Sequence, residues 1–244
     1  WRTVKRGSRE YVKKITNLFP DKIQKSDAVA QVAKSDKGLT VKTLSGAEKH
    51  FDHVVFACHG DQILDLYQSA DKQQNAILSA FEYSMNKAYL HTDETLMPQR
   101  KKLWASWNYI GQSNHKKIED TPVFVSYWMN RLQNYDTDKN FFVSLNPFTP
   151  PKDEHIIKEI SYEHPLFSPN TNWAQKRLRE IQGRNNVWYC GAWCGYGFHE
   201  DGASAGFTVA EQITHIKRPW NITEKSTAKE NCTAYYLNEN KQAA

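Results

Sequence analysis

The chain has 244 residues, of which 39% are hydrophobic and 13% aromatic, and it carries a net charge of +5. This composition is sufficient for a substantial core and excludes a disordered chain. Its four cysteines are too sparse for a disulfide scaffold, so we expect a reducing, cytoplasmic compartment. No run approaches the roughly 20 apolar residues of a membrane-spanning helix, and the basic clusters are too short for a nucleic-acid-binding stripe.

The first part of the chain predicts elements of an α/β layer. An amphipathic helix and three short strands are expected at residues 8–18, 28–35, 39–44 and 49–51. Asp36, Lys37 and Gly38 form the turn that joins the first two strands. Residues 52–58 are a continuous apolar stretch, which is typical of a strand buried on both faces inside a parallel sheet. Asp61 begins a helix directly after it.

The middle of the chain predicts a second, mainly antiparallel sheet. After a helix at 76–81, aromatic strands separated by polar turns are expected at 87–92, 103–109, 123–130 and 141–146. Their aromatic side chains are candidates either for a core or for the lining of a substrate cavity, and the pattern leaves both open: Trp104, Trp107, Tyr109, Tyr127 and Trp128.

The last part of the chain predicts a return to the first layer. A helix at 170–181 leads to a short buried strand at 187–190, a glycine-rich loop and a helix from about Gly202 to Ile216. After Pro219 the sequence is polar and has little to bury, which predicts a tail.

The glycine-rich loop is the strongest candidate for chemistry. Gly191 allows a ligand to approach the backbone closely, and the amides of Asp201, Gly202 and Ala203 begin a helix whose positive end favours an anionic or electron-rich group. Two alternatives stay open: a tight strand-to-helix connection without a ligand, and Asp201 acting only as a helix cap. Neither the Cys190/Cys194 spacing nor residues 199–201 match a zinc motif, so we expect no metal.

The stretch 186–213 resembles the carboxy-terminal FAD motif of flavin amine oxidases and phytoene-desaturase-like enzymes. The matching residues are Cys190-Gly191 at the strand end and Gly202-Ala203-Ser204-Ala205-Gly206 at the helix start. The whole stretch is more similar still to a subfamily of predicted NAD/FAD-binding proteins. Segments 1–12 and 52–58 resemble further elements of that subfamily, so the resemblance covers about residues 1–216.

The resemblance implies an incomplete FAD-binding, Rossmann-like domain of the glutathione-reductase type, with a second, mainly antiparallel substrate domain. The implied boundaries are 1–70 for the partial FAD-binding domain, 71–183 for the substrate domain, 184–218 for the return to the FAD-binding domain and 219–244 for the polar tail. The implied FAD contacts are Ile23 near the adenine, Cys58 on the adenosine side, Gly191 and Ala192 along the ribityl and pyrophosphate, and Asp201, Gly202 and Ala203 at the flavin pyrimidine. Trp193 is a further implied cofactor contact.

Three features depart from the family pattern. Lys5-Arg6 replaces the expected first glycine near the start, which leaves only Gly7. Gly191-Ala192 stands where many amine oxidases have Gly-Glu, so the acidic contact to the ribityl chain is either lost or supplied by another residue. No G-x-G-x-x-G occurs, although the family places this phosphate-binding turn before the segment at which this chain begins. We therefore expect the chain to be the carboxy-terminal part of such an enzyme.

The sequence thus predicts an FAD-dependent oxidoreductase, or its carboxy-terminal fragment, that passes hydride from a substrate C–H bond to flavin N5. Its substrate would be a small, lipid-like molecule or an amine, with no nucleic-acid partner and no integral membrane segment. The sequence identifies no catalytic base. The alternative is a non-catalytic remnant, or interaction module, that keeps the scaffold without flavin.

Overall fold

The computed structural model describes residues 3–36, 38–111, 122–220 and 227–234. They form two compact units, one from 1–24 and 85–164 and the other from 25–84 and 165–244. The predicted domain boundaries at 70/71 and 183/184 fall inside the second unit. None of the helices in the described ranges is long and apolar enough to cross a bilayer.

The first unit contains a five-stranded sheet. Its helices and strands are α1 (Arg9–Thr16), β5 (Tyr83–His91), β6 (Trp107–Gly111), β7 (Val123–Trp128), α4 (Met129–Gln133), β8 (Phe142–Leu145) and β9 (Ile156–Pro165). The first two residues of β5 and the last residue of β9 belong to the second unit. The strand order is β6-β7-β8-β5-β9, and β6/β7, β7/β8 and β8/β5 are antiparallel. The predicted antiparallel sheet is therefore confirmed, and β9 is a strand that the sequence analysis did not predict.

The aromatic side chains of this sheet divide between a core and the surface. Trp104 and Phe142 are buried and pack edge to face at 5.5 Å, with Trp128 against them. On β6 it is Asn108 that faces inward, because its amide bonds the Ser126 carbonyl, and this turns the neighbouring aromatic rings outward. The core alternative thus holds for Trp104, whereas Trp107 and Tyr109 are exposed.

A buried polar chain crosses the middle of this sheet. The Asp93 amide donates to His91 Nδ1, so the ring proton is on Nε2, which donates to Ser144 Oγ at 2.8 Å. Ser144 donates to Ser126 Oγ, and Ser126 donates to the Leu96 carbonyl at 3.2 Å. Every member has a partner, so the chain ties β5, β7 and β8 together without an unsatisfied group.

The buried His91 of this hydrogen-bonded row predicts a loss of stability in mild acid. Burial lowers the pKa of His91 from 6.5 to about 4, in spite of the nearby Asp93 carboxylate. The unfolded state therefore binds a proton that the folded state does not, and the free energy of unfolding should fall by about 2 to 3 kcal/mol as pH drops from 6.5 to 4. Urea unfolding across this pH window tests it. His91→Gln should remove most of the slope, and an unchanged slope would refute the assignment.

The second unit contains two small sheets and most of the hydrophobic core. Its elements are β1 (Val29–Ser35), β2 (Gly38–Thr43), β3 (Glu48–Phe51), β4 (Val54–Phe56), α2 (Ile63–Leu66), α3 (Lys72–Leu78), α5 (Pro169–Arg177), β10 (Val187–Tyr189), α6 (His199–Thr214) and α7 (Thr227–Cys232). β1 and β2 form the predicted hairpin, although Lys37 of its turn lies outside the described residues, and β3 pairs with β2 to extend it into an antiparallel meander. β4 pairs with β10 in parallel.

Two expectations for this unit need correction. β4 is not buried on both faces: Phe56 is buried, but Val55 is 41% exposed and lines an open apolar cavity on its face of the strand. Residues 227–234 are not a polar tail. Ala228 and Cys232 on α7, and Ala234 just after it, are buried in the hydrophobic core. The rest of 221–244 lies outside the described residues.

Candidate functional site at the carboxyl ends of β4 and β10

The parallel pairing of β4 with β10 brings the two predicted ligand loops together. Phe56 lies opposite Tyr189, and the Cys190 amide donates to the Phe56 carbonyl at 3.0 Å. Cys58 and Gly191 therefore follow strands that end at the same edge. Ligands of α/β sheets bind at this carboxyl edge, so the pairing is the first requirement for the predicted site.

The Trp193 side chain, in the loop after β10, binds the loop after β4. Its indole is 4% exposed, packs edge to face on Phe81 at 4.5 Å and donates to the Cys58 carbonyl at 3.1 Å. Gly191 has φ +154°, and a Cβ there would lie 2.5 Å from the indole nitrogen, so glycine makes room for the ring. The side chain of Trp193 thus belongs to the core, and its predicted cofactor contact stays a prediction for its backbone.

In the loop after β10, two carbonyls accept hydrogen bonds from a side chain, whereas the first amides have no partner within the turn. Gln175 Nε2 donates to the carbonyls of Trp193 and Gly195, at 2.8 and 2.7 Å. Residues Ala192–Cys194 form a 3-10 turn, and the first two amides of such a turn have no partner within it. Among the described residues, the amides of Ala192 and Trp193 are therefore candidate donors to a ligand.

The helix α6 begins three residues earlier than predicted, at His199 rather than Gly202. Its cap is Asp201, whose Oδ2 accepts hydrogen bonds from the amides of Tyr196 at 3.1 Å and Phe198 at 3.0 Å. The Gly202 amide donates to the Phe198 carbonyl at 3.2 Å. The amide of Gly202 is thus used inside the helix, and the helix start instead presents the amides of residues 199–201.

Asp201 and Gly195 are in close contact. Asp201 is 8% exposed, and a Cβ added at Gly195 would lie 2.3 Å from Asp201 Oδ1. Gly202 has more room, because its Cβ would lie 3.5 Å from the Ala192 amide nitrogen, an ordinary contact. The two glycines therefore serve different purposes. Gly195 makes room for the Asp201 side chain, and Gly202 leaves space beside the Ala192 amide.

The loop after β4 holds a buried carboxylate oxygen. Asp61 Oδ1 has no hydrogen-bond partner within the described residues. Beside it the Gly60 amide donates to the Tyr83 hydroxyl at 3.0 Å, and the His59 ring stacks on Tyr83 at 4.6 Å. Burial raises the pKa of Tyr83 to about 12 and also raises that of Cys58, so both stay protonated near neutral pH. An acceptor at Asp61 fits a ligand hydroxyl.

An apolar cavity of about 740 Å³ lies beside β4 in the same unit. Its walls come from β4, the meander and α2, and its polar lining is small. Cys58 is the predicted site residue that lines it. Ile23 belongs to the other unit, where it follows the 3-10 turn Pro20–Lys22.

Two residues of this region become candidates for the site only from the structure. Asp61 was interpreted only as a helix start, although its position directly after a buried strand was an available signal. Gln175 lies inside a helix far along the chain, and no motif marks it. Nowhere in the described ranges do three or more His, Cys, Asp or Glu side chains form a group that could hold a metal ion.

Solved structures share this fold at low sequence identity. A UDP-galactopyranose mutase in its reduced form has a TM-score of 0.61 at 12% identity, over 90% of this chain and 53% of its own. A putrescine oxidase bound to putrescine has a TM-score of 0.56 at 12% identity, over 86% and 53%. A conjugated-linoleic-acid-producing fatty acid isomerase from P. acnes has 0.52 at 15%, over 76% and 47%. The chain thus spans about half the length of these relatives.

Comparison of the sequence with known families identifies one family. No curated protein sequence matches the chain significantly. The model of the family described as flavin-containing amine oxidoreductase matches residues 2–156, more than half of the chain. This stretch ends before the loop at 190–202, so the ligand contacts of that loop stay predictions. The match confirms the predicted resemblance and the predicted cofactor class, FAD: the chain belongs to the flavin-containing amine oxidoreductase family.

Proposed function

We propose that this chain is part of an FAD-dependent oxidoreductase that removes hydride from a substrate C–H bond. The observation that carries the proposal is the carboxyl edge of β4 and β10, where donors and an acceptor converge in a member of a flavin family. The bound flavin would supply the hydride-accepting atom, N5.

The residues at this edge fit a dinucleotide in kind. The amides of Ala192 and Trp193, with those of residues 199–201 at the start of α6, are donors for phosphate or flavin ring oxygens. Asp61 Oδ1 is an acceptor for a ribose or ribityl hydroxyl. Cys58 places the apolar cavity next to this edge, where it can exclude water from an adenosine group.

The substrate proposal is an amine or a lipid-like molecule. The family is named for amine oxidation, and two similar structures are a putrescine oxidase and a fatty acid isomerase. We also propose a cytoplasmic location, because all four cysteines are free thiols and Cys190 and Cys194 have burial-raised pKa values, which suits a reducing compartment.

A matched pair of glycine variants tests the site. Gly202→Ala places a methyl group beside the Ala192 amide, whereas Gly206→Ala, on the same helix, meets nothing within 4 Å. Both changes favour the helix and should leave it folded. Each purified chain is incubated with FAD, desalted and scanned for flavin bands near about 370 and 450 nm. We expect Gly206→Ala to retain flavin like the parent and Gly202→Ala to lose most of it.

The same spectra separate the two hypotheses for the protein. Where the parent retains flavin, equal retention by both variants would contradict a ligand at the Ala192 amide. The measurement, with the same pair of glycine variants, is repeated on a chain extended at its amino end by any further residues that its gene encodes. If only the extended chain is yellow, the enzyme hypothesis holds and this chain supplies one part of the site. If neither retains flavin, the non-catalytic scaffold takes its place.

A further inference from the structure

The helix α1 in the first unit has an apolar face that is open to solvent. None of its residues is buried. Tyr11, Val12 and Ile15 are 40, 47 and 52% exposed, and Leu18, just after the helix, is 81% exposed. At 3.6 residues per turn these four side chains fall within about a third of the circumference. The remaining face carries Arg9, Glu10, Lys13 and Lys14, so the helix is strictly amphipathic.

The segment 3–25, which contains α1, has a net positive charge equal to that of the whole chain. Residues 3–25 contain seven Lys and Arg against two Asp and Glu, a net +5, and the net charge of the 244-residue chain is also +5. Lys13 and Lys14 lie in the last turn of α1, and Lys22 ends the 3-10 turn Pro20–Lys22. The basic excess is therefore concentrated in one short, exposed segment.

We propose that residues 3–25 dock on an anionic lipid surface, with α1 lying in the plane of the interface. An exposed apolar stripe flanked by Lys and Arg is the arrangement that binds such a surface, since the apolar side chains enter the acyl boundary and the cations meet the headgroups. A second copy of this segment is disfavoured as the occupant, because +5 would face +5. A nucleic acid would use the cations but not the apolar stripe. This interaction goes beyond the proposed function and does not depend on it.

The test is co-sedimentation of the full chain with vesicles. We expect binding to vesicles of equal parts phosphatidylcholine and phosphatidylglycerol, weaker binding at high salt, and little binding to phosphatidylcholine alone. Lys13→Glu/Lys14→Glu should weaken binding by at least about thirtyfold, and Leu18→Ser by about tenfold. Lys102→Glu/Lys158→Glu makes the same charge change on exposed side chains elsewhere in the first unit and should weaken binding by less than about threefold.

Several results would overturn the proposal. One is no binding to the anionic vesicles; another is binding that Leu18→Ser leaves unchanged. A concentration-dependent dimer in light scattering that Leu18→Ser abolishes, without vesicle binding, would make this face an interface between copies. Binding to duplex DNA that survives Leu18→Ser, again without vesicle binding, would make it a nucleic-acid site. A melting temperature lowered by Leu18→Ser would show that the face packs inside the protein.

Discussion

Replacing Gln182 with leucine should lower the free energy of unfolding by about 3 to 5 kcal/mol. Gln182 is fully buried, and its side chain makes both hydrogen bonds of a β-ladder to Tyr189: Nε2 donates to the carbonyl at 2.6 Å, and Oε1 accepts from the amide at 2.9 Å. It therefore takes the place of a neighbouring strand for β10. Leucine would leave a buried amide and a buried carbonyl of Tyr189 without partners, and each costs about 1 to 3 kcal/mol.

A matched control is Gln31→Leu. Gln31 donates to Gln68 at 2.6 Å in the same unit, but this bond is exposed, so water can replace it and the cost should stay below about 1 kcal/mol. Urea unfolding of the two variants and the parent gives both differences. If Gln182→Leu cost no more than Gln31→Leu, the side chain would not be the edge partner of β10. Because β10 leads into the loop that we propose contacts FAD, Gln182→Leu should also reduce FAD retention.

The elements that the sequence predicted best are those whose pattern comes from one buried face or from a turn. The meander β1–β3 is marked by alternation and by a hairpin turn, and β10 by a short apolar run before glycine. β9 was missed because its apolar side chains do not alternate: Ile156 and Ile160 are half-buried with Lys158 between them on the same face, while Ile157 and Tyr162 are exposed. Edge strands often lack that signal.

The candidate site was predictable in its position and less so in its contacts. Strand ends at Cys58 and Gly191 predicted the edge where the loops meet, since parallel strands share it. The start of α6 could not be placed from the residues alone, because Asp201 caps it from inside the first turn and not from the position before the helix. Trp193 likewise stands in the motif, yet its indole fills the space that Gly191 leaves.

Alanine at position 195 should destabilise the protein by about 2 to 4 kcal/mol and abolish the capped start of α6. The added Cβ would fall 2.3 Å from Asp201 Oδ1 and 2.6 Å from its Cγ. The carboxylate cannot move aside cheaply, because Asp201 is buried and accepts two backbone hydrogen bonds, from Tyr196 and Phe198. Displacing it leaves those amides unpaired and frees the loop between β10 and α6.

Gly206→Ala is again the control. Gly206 lies on α6 with Asp201, and a Cβ there would meet nothing within 4 Å, so this change should stabilise the protein by up to about 1 kcal/mol. Unfolding in urea measures both variants, and flavin retention after desalting is followed in parallel. A Gly195→Ala protein as stable as the parent would mean that Asp201 is free to turn away, and its burial would then have another cause. Loss of flavin together with loss of the cap would instead link the two, because the amides at the start of α6 point at a ligand only while Asp201 holds the loop in place.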